Sequence, residues 1–141
     1  MRRGYEFFPH TADVGAVVRG ATLPRLFENA ALALFDLLGE RRRVRPRRRL
    51  RVAVAGSSLE DLLVRWLSEL LFLRESKGWL FSACAVERVD RARFTARALV
   101  RGEPFDPARH RALREVKAIT YHGLRVVRGR AAWRTRIVFD V

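Results

Sequence analysis

The chain is poor in the residues from which many sites are built. It has a single cysteine, Cys84, in 141 residues, which excludes an internal disulfide and a cysteine-ligated zinc site. Cys84 lies in the apolar run "LFSACAVERV", where a buried, inert thiol is expected. No apolar run approaches the length of a membrane span, and the opening "RRGYEFF" has no apolar signal core behind it. The chain therefore reads as cytoplasmic. Repeats, low-complexity linkers and breaks in composition are absent, so residues 1–141 read as one domain. Nucleotide and hydrolase motifs are missing too: no phosphate-binding loop, dinucleotide fingerprint, HExxH, EF-hand loop or GxSxG elbow occurs. The serines at 57, 58, 68, 76 and 82 fall on expected helices, caps and strands, which excludes an obvious nucleophilic triad.

Acid is scarce, and lysine more so. Twenty-nine basic residues face 15 acidic ones, for a net charge of +14. All but two of the basic residues, Lys77 and Lys117, are arginine. More than half of the net charge lies in "RRRVRPRRRLR" at 41–51, with eight arginines and no acid. A run of that density attracts phosphate backbones irrespective of sequence; the alternative is a solvated loop leading into a strand. Hydrophobic residues make up 49% of the chain, enough to fold around a core of its own.

Leu23, Leu26, Phe27, Ala30, Ala31, Leu34, Phe35 and Leu38 recur at three-and-four spacing and predict a helix. Thr22 is placed to cap it, Pro24 suits its first turn and Gly39 its end. A second helix is expected over about 58–76, with Leu59, Leu62, Leu63, Trp66, Leu67 and Leu70 as its stripe. Ser57 and Glu60 offer a capping box, Gly78 a stop, and Asp61, Arg65 and Glu69 an exposed ion-paired face. Strands are expected at 14–20, 50–56, 79–89, 93–102, 115–127 and 132–141. In the last, Trp133, Thr135, Ile137, Phe139 and Val141 share the core face, and Arg134, Arg136, Val138 and Asp140 the other. The order β-α-β-α followed by several strands gives an α+β fold, two amphipathic helices on a mixed or antiparallel sheet.

Three histidines, His10, His110 and His122, lack metal-helix spacing, and each alone reads as a hydrogen-bonding structural residue. Lys117 precedes His122 in an apolar stretch, where an arginine-using chain has kept a compact titratable ammonium. Asp13, at a strand entry, and Asp140, near the end, carry more. With backbone carbonyls and the terminal carboxylate of Val141 they make an oxygen donor set suited to Mg²⁺ or Ca²⁺. The alternative is that each pairs with one of the many arginines.

"HTADVG" at 10–15, "LFENAALALFDL" at 26–37, "LEDLLVRWLSELLFL" at 59–73, "RGEPFDPARH" at 101–110, "EVKAITYHGL" at 115–124 and the closing "VFDV" occur in one order. In these motifs the chain resembles the archease family nearly end to end. The departure lies at 40–56, where arginine replaces a more mixed, acidic stretch. The resemblance implies an α+β protein with a divalent-metal site at Asp13, Asp140 and Val141. It also implies an accessory protein, not itself a catalyst, that promotes guanylylation and multiple turnover of the RtcB-type tRNA-splicing RNA ligase. On that reading Lys117 and His122 are candidates for the ligase-facing surface, and the basic surface for tRNA contact. A metal-dependent RNA-processing enzyme and a basic RNA-binding module are the competing readings.

Overall fold

The computed structural model describes residues 3–141. Both helices form where their apolar spacing places them. The first, α1 (Leu23–Leu38), starts at Thr22, whose hydroxyl accepts the Arg25 amide at 3.2 Å, and it stops at Gly39. The second, α2 (Leu59–Lys77), ends at Gly78, whose φ of 68° is the left-handed conformation that terminates a helix. Its N-cap is Ser58 and not Ser57. The Ser58 hydroxyl accepts the Asp61 amide at 3.0 Å, while the Asp61 carboxylate reaches back to the Ser57 amide at 2.8 Å. The cap thus sits one residue later than the spacing suggested, with Asp61 in place of Glu60 returning to the amide before it.

The strands are β1 (Tyr5–His10), β2 (Asp13–Gly20), β3 (Arg48–Ala55), β4 (Trp79–Asp90), β5 (Thr95–Pro104), β6 (Ala118–Thr120), β7 (Val127–Arg128) and β8 (Trp133–Asp140). All pair antiparallel, in two sheets. The larger runs β1-β2-β8-β6, with β7 also on β8, and the smaller runs β3-β5-β4. The fold therefore opens with a β-hairpin that the β-α-β-α pattern lacked. The segment 5–10 alternates poorly, and its pairing with β2 is what makes it a strand. The expected strand at 115–127 is mostly irregular, and only Ala118–Thr120 and Val127–Arg128 pair within it.

Helix α1 packs on β2 of the larger sheet and β4 of the smaller. It is covered on several sides, with Leu26, Phe27, Ala30, Ala31, Ala33 and Leu34 wholly buried; the alanines allow this close approach. Helix α2 lies against β3, β6 and α1. Trp66 crosses the seam between the helices and donates its indole N–H to the Phe27 carbonyl at 2.9 Å. Burying Leu62, Leu63, Leu67 and Leu70 around it supplies the main driving force there, at roughly 2 kcal/mol per large apolar side chain.

Candidate functional site

The N-terminal hairpin turns tightly at Thr11 and Ala12, with Thr11 at a φ of 50°. This turn brings His10 opposite Asp13 as the last rung between β1 and β2. Gly15 is fixed by its partner across the hairpin. The Phe8 ring lies over it and would collide with any Cβ, and the Arg136 guanidinium sits 4.5 Å from the centre of that ring.

Strand β8 runs antiparallel to β2, and their register closes at Val14 and Phe139. Asp13 and Asp140 are each one residue beyond that rung. They stand as neighbours across two adjacent strands, roughly 5 Å apart at their Cα atoms by antiparallel geometry. On the other side of β8, Ala118 pairs with Asp140, and the Lys117 amide donates to the Asp140 carbonyl at 2.7 Å. Three strand ends thus meet at one edge of the larger sheet. Val141 continues β8, half-buried against the core, and anchors the strand that carries Asp140.

His10 and His122 flank this edge. The His10 ring packs edge-on against that of His122, with centroids 5.1 Å apart. His10 Nδ1 is 3.8 Å from the Asp13 carboxylate, too long for a hydrogen bond, and is buried with no other partner among the described residues. The structure therefore gathers Asp13, Asp140, Val141, His10 and His122. Lys117 joins through its backbone only, and its side chain is exposed. His10 was legible only as a single histidine; its partner lies over a hundred residues away, beyond any local spacing.

Several carboxylates elsewhere in the fold are tied down. Asp36 accepts from Tyr5 Oη and from Arg41 Nε at 2.9 Å. Burial, with the Asp36 hydrogen bond second, pushes the Tyr5 phenol up. Asp61, expected on an exposed helix face, is instead buried. It accepts from Tyr121 Oη at 2.6 Å, the Ser57 amide at 2.8 Å and Arg65 Nε at 2.9 Å, and these bonds hold its pKa far below the ordinary value. The Tyr121 contact spans sixty positions, so no helical period signals it.

Glu103, also buried, accepts from Arg109 at 2.7 Å, from the Arg45 amide at 2.8 Å and from His110 Nε2 at 2.8 Å. Because His110 Nδ1 accepts the Asp106 amide at 2.9 Å, Nε2 is the ring nitrogen that carries the proton toward Glu103. The Arg109 guanidinium is the main cause of a Glu103 pKa lowered to about 2. Burial pushes the Cys84 thiol up to about 12, in keeping with an inert cysteine.

Asp13 and Asp140 differ from these groups. In a chain with 27 arginines, neither has an arginine within ion-pairing distance among the described residues; the one basic side chain within 4 Å of the Asp13 carboxylate among them is the His10 imidazole. The arginine-paired alternative therefore has no support among the described residues. Two unneutralised carboxylates at adjoining strand ends, with nearby backbone carbonyls, fit the hard oxygen donors that Mg²⁺ and Ca²⁺ take. Among the described residues no three His, Cys, Asp or Glu side chains draw together into a closed cage. Any ion here would have open coordination positions.

The arginine run is divided by the fold. Arg41–Arg43 form a short 3-10 turn in which Arg41 pairs with Asp36, and Arg42 and Arg43 with Glu40. Arg48, Arg49 and Arg51 lie on β3, exposed. Among the described residues no helix is long and apolar enough to cross a membrane.

Comparisons with known proteins agree with this architecture. The model of the archease protein family matches residues 5–141. Protein archease of Pyrococcus furiosus is 38% identical over 144 residues, covering 99% of each chain. That of Methanosarcina mazei is 35% identical over 139 residues, 97% of this chain and 95% of the relative. The solution structure of protein 1598 of Methanobacterium thermoautotrophicum superposes with a TM-score of 0.83 at 29% identity over 99% of both chains. A crystal structure from Thermotoga maritima, described as an archease and possible chaperone, shares the fold with a TM-score of 0.61 at 24% identity, over 95% of this chain and 94% of that one. A family model spanning nearly the whole chain, relatives above one-third identity and a shared two-sheet architecture lead to one assignment: the chain belongs to the archease family.

Proposed function

We propose that this protein is an accessory activator of an RtcB-type tRNA-splicing RNA ligase, acting through the Asp13–Asp140 edge. The observation that carries this reading is the pair of carboxylates without arginine partners, held at adjoining strand ends by the β1–β2 turn and the end of β8. Asp13, Asp140 and the backbone at Val141 would hold a divalent cation, Ca²⁺ or Mg²⁺. A cation bound there supplies positive charge and vacant coordination positions, which phosphate oxygens or a ligase carboxylate can fill. The chain's own residues set its direction. The Lys117 amide fixes the Asp140 backbone, and the His10–His122 pair walls one side of the edge. The exposed Lys117 ammonium extends the same surface toward a partner, and the basic surface elsewhere favours tRNA. The activator promotes ligase guanylylation and repeated turnover without joining RNA itself.

The test is guanylylation of the cognate ligase, followed by label transfer from GTP, with wild-type protein and with Asp140→Asn. The substitution keeps an oxygen and removes a charge. It should weaken Ca²⁺ and Mg²⁺ binding by calorimetry and slow guanylylation in parallel. Unchanged affinity together with unchanged activation refutes the reading. Joining or cleavage of tRNA halves with Mg²⁺ and no ligase would instead establish an RNA-processing enzyme.

A further inference from the structure

The smaller sheet is covered by helices on one face only. Val52, Val86, Ala96, Ala98 and Val100 point inward and are buried. The opposite face is open across Arg49, Arg51, Arg97 and Arg101, all exposed, while at its end the loop carrying Arg109 and His110 packs over the buried Glu103; the composition of the open part is unusual. The β3–β5 register sets Arg49 directly across from Arg101, Arg51 across from Leu99, and Ala53 across from Arg97. On the far side of β5, Arg97 faces Arg88 of β4, while Leu99 and Arg101 face Ala85 and Ala83. Arginines from three strands therefore share one surface, with alanines and the half-buried Leu99 lying low between them.

Like charges directly across an antiparallel rung destabilise the sheet. This face carries two such rungs, Arg49–Arg101 and Arg88–Arg97. Neutralisation is partial. Glu87, extruded by the irregularity between Val86 and Arg88, reaches Arg51 at 3.1 Å, and Asp90 reaches Arg88 at 3.3 Å. Among the described residues no carboxylate lies within ion-pairing distance of Arg49, Arg97 or Arg101. The fold keeps a repulsive cluster that Glu87 and Asp90 offset only in part.

We infer that this face of β3, β5 and β4 is a docking surface for the phosphodiester backbone of double-stranded RNA. It goes beyond the metal edge, which lies on the other sheet, and deepens the RNA-contact part of the proposed function, on which it rests. Arginine matches phosphate oxygens with two parallel hydrogen bonds. The spacing of about 4.8 Å between strands and about 7 Å between alternate residues along a strand sets the guanidinium groups in a two-dimensional array. A protein partner would need an apolar or aromatic anchor at the centre, and alanines with one half-buried leucine provide none. Among the described residues no strand position on this face is aromatic, so the surface favours a duplex backbone over a single strand and reads no sequence. The sequence run at 41–51 pointed only to β3; Arg97 and Arg101 join it through strand pairing.

The experiment measures binding of a fluorescent 20-base-pair RNA duplex of arbitrary sequence, without ligase or added GTP, across a salt series. Wild type is compared with Arg97→Gln/Arg101→Gln and with Arg125→Gln/Arg130→Gln, a control that removes the same charge from loops of the larger sheet. The sheet variant should flatten the dependence of log affinity on log salt by about 1.5 to 2, and weaken binding at 0.1 M salt roughly thirtyfold. The control should change either quantity far less. Thermal melting keeps a folding defect distinguishable: relieving the Arg49–Arg101 repulsion should leave the melting temperature unchanged or raised while affinity falls. Equal losses in the two variants, or an unaltered salt slope, would overturn the assignment. So would a 20-residue polyglutamate binding wild type as tightly as the duplex, since that would make the face an acidic-protein site. Because no ligase is present, a failed guanylylation test leaves this result standing, and the reverse also holds.

Discussion

Trp66→Ala is the perturbation that most directly tests how the helices are held. Trp66 is 1% exposed, and its indole N–H donates to Phe27, so the side chain joins α2 to α1 at the centre of the core. Truncating a buried tryptophan leaves a cavity that close-packed neighbours fill only in part, at a cost of about 3–5 kcal/mol. With an unfolding entropy of about 2.1 cal/mol/K per residue, a chain of 141 residues changes stability by about 0.3 kcal/mol per degree near its melting point. The substitution should therefore lower the melting temperature by roughly 10–17 °C.

Trp66→Phe divides that loss. It retains most of the ring and removes the donor, and the Phe27 carbonyl keeps its place in the helical ladder. The cost should be about 1–3 kcal/mol. Urea unfolding monitored by circular dichroism, with an unchanged m-value, measures both. A loss below about 1 kcal/mol for Trp66→Ala would show that the α1–α2 seam is not where the core's stability resides. Equal losses for the two variants would assign the whole effect to the hydrogen bond and refute the cavity reasoning.

Glu103→Gln tests the buried carboxylate. Because the Glu103 pKa falls from 4.5 to about 2 on folding, its stabilisation is complete above the unfolded value and is lost as pH falls toward 2. The gap in melting temperature between wild type and variant should be present at pH 6 and shrink between about pH 5 and 2; a constant gap would show that the carboxylate's charge is not involved. Cys84, with its thiol held near 12 by burial, should resist iodoacetamide at pH 8 in the native protein and react once urea unfolds it; rapid native labelling would contradict that environment. Asp13→Ala should leave melting in metal-free buffer within about 2 °C of wild type, since surface substitutions away from the core typically change stability by about 0.5 kcal/mol or less, yet remove activation of the ligase. A large metal-free loss would make Asp13 a structural residue.

Local chemistry in the sequence was enough for both helices and most strands. The three-and-four spacing of Leu26, Phe27, Ala30 and Leu34, the Thr22 cap and the Gly78 stop act within a few residues, so α1 and the end of α2 followed directly. The alternation in 132–141 held for the exposed Arg134 and Arg136, while Val138, expected on their face with Asp140, is buried. Motif order identified the family and singled out Asp13, Asp140 and Val141 as candidates. What pairs with what was decided by the tertiary structure. Residues 5–10 are a strand because β2 is beside them, and Asp61 is buried because Tyr121, sixty positions on, closes over it. Asp13 meets the end of β8, and Arg101 meets Arg49, through registers that span the chain. Hydrogen-bond registers between distant strands depend on the whole packed arrangement, so the composition told how much positive charge the protein carries, and only the fold decided which face carries it unneutralised.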